Sequence, residues 1–141
     1  MNRATVRRQR GVSLIDALIA IVILSFGLVG MARMQGRTVT AATDAQLRVI
    51  AMQLADELLN TALVDTGNAV CYTLPAEAGC ASAAAAARAA EWSGRVTASL
   101  PGAAAPTVTL YAAAGRLTAN IGWTARDSSD ARLLTVATDV R

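Results

Sequence analysis

Two features of this chain bear directly on chemistry: it has no histidine, and one carboxylate, Asp16, lies near the start of a long apolar run. Without histidine, a serine or cysteine nucleophile lacks its usual imidazole base, and a zinc site lacks its commonest nitrogen ligand. Two cysteines cannot form a four-thiolate zinc site, and five aromatic residues are too few for a nucleic-acid stacking platform. The composition therefore predicts a protein that is not an enzyme and uses no metal or cofactor.

Asp16 lies near the start of a stretch that is long enough to cross a membrane and that follows a basic leader. Residues 1–11 contain four arginines and no acid, and Asp16 is the only charge in residues 12–32 (VSLIDALIAIVILSFGLVGMA). As a helix, these 21 residues span about 30 Å, the thickness of the hydrocarbon core of a bilayer. Only Arg33 and Arg37 follow closely, so the positive-inside rule predicts a cytoplasmic N-terminus and a single pass.

The helical pattern continues beyond the apolar run. Apolar residues recur three and four positions apart on one face, and polar residues fill the opposite face. The apolar positions are Leu47, Ile50, Ala51, Leu54, Ala55, Leu58 and Ala62. No proline interrupts residues 12–74, and the sequence DTGN at 65–68 is a helix stop. One long helix, about 12–65, is therefore expected, apolar in its first half and amphipathic in its second.

The remaining residues predict a small α+β domain. Residues 69–80 read as a loop bracketed by the two cysteines, and the alanine-rich residues 81–92 read as a short helix. Strand-like segments follow at 95–100, 107–111, 116–124 and 132–140, separated by turn signals. This series indicates an antiparallel meander, with Trp92 and Trp123 in its core. The long helix needs an apolar surface for its second half, and this sheet is the only candidate.

Several classes of N-terminal segment compete for residues 1–32. A secretory signal peptide has a shorter apolar region and no early acid, and no A-x-A site closes this run. A lipoprotein signal needs a cysteine near the run, and none is present. A plain signal anchor is compatible with the run but gives no reason for Asp16, because a carboxylate is costly in a bilayer.

The sequence GVSLID at residues 11–16, followed by the apolar run, resembles the type IV prepilin signature. That signature is glycine, a hydrophobic residue, serine or threonine, leucine, a hydrophobic residue and glutamate. Here Asp16 replaces the glutamate. Residues 23–35 (ILSFGLVGMARMQ), with short matches around 90–92, 100–103 and 121–123, resemble the PilV-type minor pilins in particular.

The resemblance implies a type IV pilin-like fold, in which the helix packs by its C-terminal half on a small antiparallel β-sheet domain. It implies that a prepilin peptidase cleaves between Gly11 and Val12, that Val12 is then N-methylated, and that the Asp16 charge serves assembly. The expected segments are a leader (1–11), a membrane and filament-core half-helix (12–33), an amphipathic half-helix (34–66) and a periplasmic head domain (67–141).

The same resemblance implies a structural role in type IV pilus assembly, linked to twitching motility or adhesion. Expected partners are the prepilin peptidase, inner-membrane lipid before assembly, other minor pilins, the major pilin and a tip adhesin. The chain would sit in the inner membrane with its head in the periplasm and then join the pilus. Cys71 and Cys80 form an even pair in a segment placed outside the cytoplasm, which predicts a disulfide.

Two alternatives remain open at this stage. A minor pseudopilin of a type II secretion system shares the N-terminal half, and residues 10–35 do not separate the two classes. A DNA-uptake pilin needs a basic patch on the head. Four of the 13 arginines lie in the leader, so residues 12–141 carry 9 arginines and 10 acids, a formal charge of −1. The basic pI is therefore a feature of the leader, and nucleic acid is an unlikely partner.

Overall fold

The fold was taken from a computed structural model, which describes residues 14–125 and 130–140. Its elements are helix α1 (Leu14–Val64), a 3-10 helix (Thr66–Tyr72), helix α2 (Ala83–Ser99) and three strands. The strands are β1 (Thr107–Tyr111), β2 (Arg116–Thr124) and β3 (Ala131–Asp139). The chain divides into two compact units at Val39 and Thr40, and helix α1 contributes to both.

The first unit consists of the apolar start of helix α1. All residues from 14 to 39 are exposed, although many of them are large and hydrophobic. An 18-residue window of α1 reaches a mean hydropathy of 2.5 with none of it buried. By length and composition α1 is a candidate membrane span, and no other helix in the described residues qualifies.

The second unit is a small α+β domain. Its sheet has the order β1-β2-β3, and both pairings are antiparallel. The second half of α1 buries a stripe of five side chains at helical spacing, and α2 buries four. These are Ala51, Ala55, Leu58, Leu59 and Ala62 on α1, and Ala85, Ala89, Trp92 and Val96 on α2. Both stripes share one core with the inner face of β2.

The structure confirms the coarse α+β architecture: a long N-terminal helix packs on a small three-stranded antiparallel sheet. Strands β1 and β2 match their predicted bounds, and β3 lies one residue earlier than predicted. Both tryptophans are in the core, with 1% of Trp92 and 4% of Trp123 exposed.

One predicted strand is wrong. Residues 95–100 were expected to form a strand, but helix α2 continues through Ser99. The reason is burial: Val96 lies four residues after Trp92, on the same helical face, and is fully buried. Alternation of valine and threonine is a weaker signal than a continuous helical stripe. The helix begins one residue after Ser82, whose side chain accepts a hydrogen bond from the Ala85 amide at 3.3 Å.

Candidate functional site

Asp16 lies in the first turn of α1, within the exposed apolar unit. Its carboxylate makes no hydrogen bond or ion pair with any residue that the structure describes. A carboxylate in the first turn of a helix interacts favourably with the helix dipole, which stabilises this position locally. The residues that follow, 17–32, carry no charge. Asp16 is therefore an exposed carboxylate at the start of the apolar part of α1, and no side chain among the described residues pairs with it.

Two other predicted site residues, Gly11 and Val12, lie outside the described residues. The predicted cleavage and N-methylation positions thus remain predictions from the sequence. The predicted cysteine pair is present: Cys71 and Cys80 are joined in a disulfide, with their Cα atoms 4.7 Å apart. It fastens the 3-10 helix to the segment leading into α2.

In addition to the shared apolar core, one buried side chain of α2 makes a hydrogen bond to the backbone of α1. The Trp92 indole Nε1–H donates a hydrogen bond to the backbone carbonyl of Leu54 at 2.7 Å, across 38 residues of sequence. Nearby, Arg95 forms ion pairs with Glu57 on α1 and, at 3.2 Å, with Glu91 on its own helix. These two ion pairs are exposed, so they contribute little to stability. Trp92 therefore combines burial in this core with a directional bond between α2 and α1.

A polar cluster closes the end of α1. The Tyr72 hydroxyl donates a hydrogen bond to Asp65 Oδ2 at 3.0 Å. The side-chain amide nitrogen of Asn68, Nδ2, donates a hydrogen bond to Asp65 Oδ1 at 2.7 Å. Burial of the tyrosine raises the pKa of Tyr72 above its usual 10.0, and the charge of Asp65 raises it further, while Arg88 opposes the shift. The folded chain therefore binds the phenolic proton more tightly than the unfolded chain does. Sequence reasoning missed this cluster, because nothing in the spacing of residues 65–72 marks Tyr72 as buried.

The raised pKa of Tyr72 predicts that the free energy of unfolding of the head domain decreases at alkaline pH. Below pH 10 both states are protonated at Tyr72, so its contribution is fully present. Above pH 10 the unfolded state loses its proton first, so the free energy of unfolding falls as pH rises toward the folded pKa. We expect Tyr72→Phe to flatten this fall and to cost about 1–2 kcal/mol at neutral pH. Urea denaturation from pH 8 to 11, followed by tryptophan fluorescence, measures both effects.

The matched control is Tyr111→Phe, because the Tyr111 side chain is 72% exposed on the sheet. This variant should keep the alkaline fall of the wild-type curve. An equal flattening in both variants, or in neither, would contradict the role of the Tyr72 cluster.

The surface cavities of the head domain are shallow and mixed in character. One, of about 340 Å³, lies beside Asp44 and Arg48 on α1 and Trp123 and Arg132 on the sheet. Arg132 approaches Asp44 at 3.4 Å there. Among the described residues there is no group of three or more histidine, cysteine, aspartate or glutamate side chains placed to hold a metal.

Comparison with known protein families, with curated proteins and with solved structures gives no match for this chain.

Proposed function

We propose that this chain is a minor pilin that takes part in assembling a type IV pilus. The observation that carries the proposal is the GVSLID sequence at residues 11–16 directly before an exposed apolar helix. The same helix, α1, continues into a packed α+β head. This combination supports a subunit that is stored in a membrane and is later moved into a helical filament core.

In the proposed pathway the leader is removed on the cytoplasmic side, between Gly11 and Val12. The new N-terminal amine of Val12 is then methylated and keeps its positive charge. When the subunit enters a filament, that amine moves into an apolar helix bundle, where an unpaired charge is costly. A carboxylate on a neighbouring helix neutralises it, and burying the pair costs far less than burying either charge alone. Asp16 supplies such a carboxylate.

The charges of the head domain support an assembly role over DNA uptake. Three of its arginines, Arg95, Arg116 and Arg132, each pair with an acid within the chain. With residues 12–141 at a formal charge of −1, the head offers little of the uncompensated positive charge that binding to a phosphate backbone needs. The head would be presented in the periplasm and then on the pilus, with its disulfide formed in that oxidising compartment.

The test concerns Asp16. Asp16→Asn keeps the size of the side chain and removes its charge, whereas Asp16→Glu keeps the charge and restores the residue of the prepilin signature. Removing one partner of a buried ion pair costs about 3–5 kcal/mol, so incorporation of Asp16→Asn into sheared surface filaments should fall by roughly two to four orders of magnitude. Asp16→Glu should be incorporated at least as well as the wild type. Quantitative immunoblots of the filament and membrane fractions measure the ratio.

Both variants should remain in the membrane fraction at the wild-type level, with the leader removed. Incorporation of Asp16→Asn at the wild-type level would show that the charge of Asp16 is not needed for assembly. Incorporation of the wild type into a secretion-system filament rather than a pilus would favour the pseudopilin alternative.

A further inference from the structure

The sheet of the head domain has two edges, and the residues that the structure describes cover only one of them. Outside β1, Leu74 pairs with Val108: the Leu74 amide donates to the Val108 carbonyl at 2.9 Å, and the Val108 amide donates to the Leu74 carbonyl at 2.8 Å. Strand β3 forms the opposite edge. Within residues 14–125 and 130–140, no backbone segment pairs with its outer side.

The register between β2 and β3 determines which backbone amide and carbonyl groups of β3 point away from the sheet at this open edge. The Val140 amide donates to the Gly115 carbonyl at 2.6 Å, and the Ala125 amide donates to the Asp130 carbonyl at 3.1 Å. Bonded and non-bonded pairs alternate in an antiparallel ladder, so even-numbered residues of β3 bond to β2. The odd-numbered residues therefore direct their amide and carbonyl groups away from the sheet. These are Ala131, Leu133, Thr135, Ala137 and Asp139.

The central part of strand β3 lacks the features that usually keep an edge strand from pairing, and its two charged residues, Arg132 and Asp139, lie near its ends. Natural edges are short, or carry charged side chains, a proline or a bulge. Strand β3 is nine residues long, and its register with β2 runs without a bulge from Asp139 to Ala131. Its central residues, 133–138 (LLTVAT), contain no charge, no proline and no glycine. Such segments have a strong tendency to form further strand pairs.

The side chains of β3 are incompletely covered. Leu134 and Val136 lie on the core side, paired with Ile121 and Ala119 of β2, yet they are only half-buried whereas their β2 partners are fully buried. Leu133, on the outer face, is 71% exposed. One more strand beside β3 would cover the apolar side chains and satisfy the outward-pointing backbone groups in a single step.

We propose that β3 accepts an extended strand from a different protein, which adds a fourth strand to the sheet. The strand that fits is uncharged over about six residues and places apolar side chains against Leu134 and Val136. That this partner is another subunit or tip component of the same filament rests on the proposed function. The open edge itself does not depend on it.

A second copy of this chain fits the edge poorly. Antiparallel pairing of two β3 strands requires a two-fold axis perpendicular to the sheet, and this axis reverses the direction of α1 in the second copy. Two copies inserted in one membrane both run the same way. Pairing of β3 with β1 of a second copy is hindered because Leu74 already occupies the outer side of Val108. Parallel pairing of two β3 strands keeps the direction of α1 but turns the core face of the second sheet to the opposite side, so Leu134 and Val136 would lie beside outer-face residues such as Thr135. A strand of another protein is free of these constraints and is the occupant that we propose.

The first measurement is amide hydrogen exchange on the full chain in detergent. Amides of Leu134 and Val136 are expected to exchange about 100-fold more slowly than those of Leu133, Thr135 and Ala137. Equal protection of the two sets would mean that the edge is already covered, and would overturn the inference.

The second measurement uses a synthetic nine-residue peptide with the sequence of β3 as the probe. Centred on Thr135 in antiparallel register, it places its leucine and valine opposite Val136 and Leu134. One version is N-methylated at the positions of Leu134 and Val136, so that the blocked amides face away from the protein and the peptide cannot grow into fibrils. A control version, of the same composition, is N-methylated at the positions of Leu133 and Ala137, whose amides face the protein.

We expect the first peptide to bind at least about tenfold more tightly than the control and to protect the amides of Leu133, Thr135 and Ala137. Ala137→Pro removes one outward amide without removing a bond to β2, and should abolish this binding, whereas Ala137→Val should retain it. If the Ala137→Pro chain fails to fold, Ala137→Lys replaces it in the test. It keeps the amide, adds a charge at the edge, and should also weaken binding of the peptide.

Equal binding of the two peptides, or no binding of either, would overturn the inference. A wild-type chain that dimerises through β3 in detergent would show that the occupant is a second copy, which also contradicts the proposal. These results are independent of leader cleavage. A chain whose N-terminus is not Val12 would disprove the proposed function and leave the open edge in place.

Discussion

Replacement of Gly11 by valine is expected to leave the predicted leader, residues 1–11, attached to the chain. The prepilin signature that residues 11–16 resemble has glycine at this position, and glycine allows the backbone to approach a protein surface more closely than any other residue does. A β-branched side chain at this position fills the space and restricts the backbone. Intact mass spectrometry of the membrane fraction should therefore show loss of the processed form, with nearly all of the protein uncut.

A matched control is available on α1. Gly36 lies in the exposed unit, and a Cβ added there meets nothing within 4 Å. Gly36→Val should therefore be processed like the wild type. Normal removal of the leader from the Gly11→Val chain would refute the predicted cleavage site, and a processing defect in Gly36→Val would show that valine substitution acts through membrane insertion.

The second large effect is expected from Trp92→Ala. This substitution removes a side chain that is 99% buried and the 2.7 Å hydrogen bond that it donates to the Leu54 carbonyl. Truncation of a buried tryptophan costs about 3–5 kcal/mol, a large part of the total stability of a domain of this size. The head domain should therefore be largely unfolded at 37 °C. Urea denaturation of the full chain in detergent, followed by the fluorescence of the buried Trp123, measures the loss.

Two further variants separate the contributions. Trp92→Phe keeps one aromatic ring in the core but removes the hydrogen bond and part of the buried volume, so it should cost about 1–3 kcal/mol, less than Trp92→Ala. Tyr111→Ala removes an aromatic side chain that is 72% exposed, and should change stability by less than about 0.5 kcal/mol. A Trp92→Ala chain as stable as Tyr111→Ala would show that α2 is not held to α1 through this residue.

Much of this fold follows from periodicity in the sequence. The apolar run and the stripe from Leu47 to Ala62 predict helix α1 to within a residue or two of its described bounds. Strands β1 and β2 follow from strict alternation, as in Leu117 and Ile121. Residues 95–100 were misassigned because a short alternating segment resembles a strand unless the helical stripe through Trp92 and Val96 is followed to its end.

The candidate site was less predictable than the fold, because its parts depend on contacts between distant segments. The bond from Trp92 to Leu54 spans 38 residues and has no local signal. The open edge of β3 depends on strand order and on which edge Leu74 covers, neither of which is encoded in β3 alone. By contrast, Asp16 stands out from the sequence at once, since it is the only charge in an apolar run of 21 residues.

The central claim is that a prepilin-type leader is removed and that the mature chain begins at Val12. Intact mass and N-terminal peptide mass spectrometry of the wild-type protein, purified from membranes, tests it most directly. The expected result is a chain of residues 12–141 that starts with N-methylvaline and contains an intact bond between Cys71 and Cys80. A chain that still begins at Met1, or one that begins after Ala32, would contradict the claim and favour a signal anchor or a cleaved signal peptide.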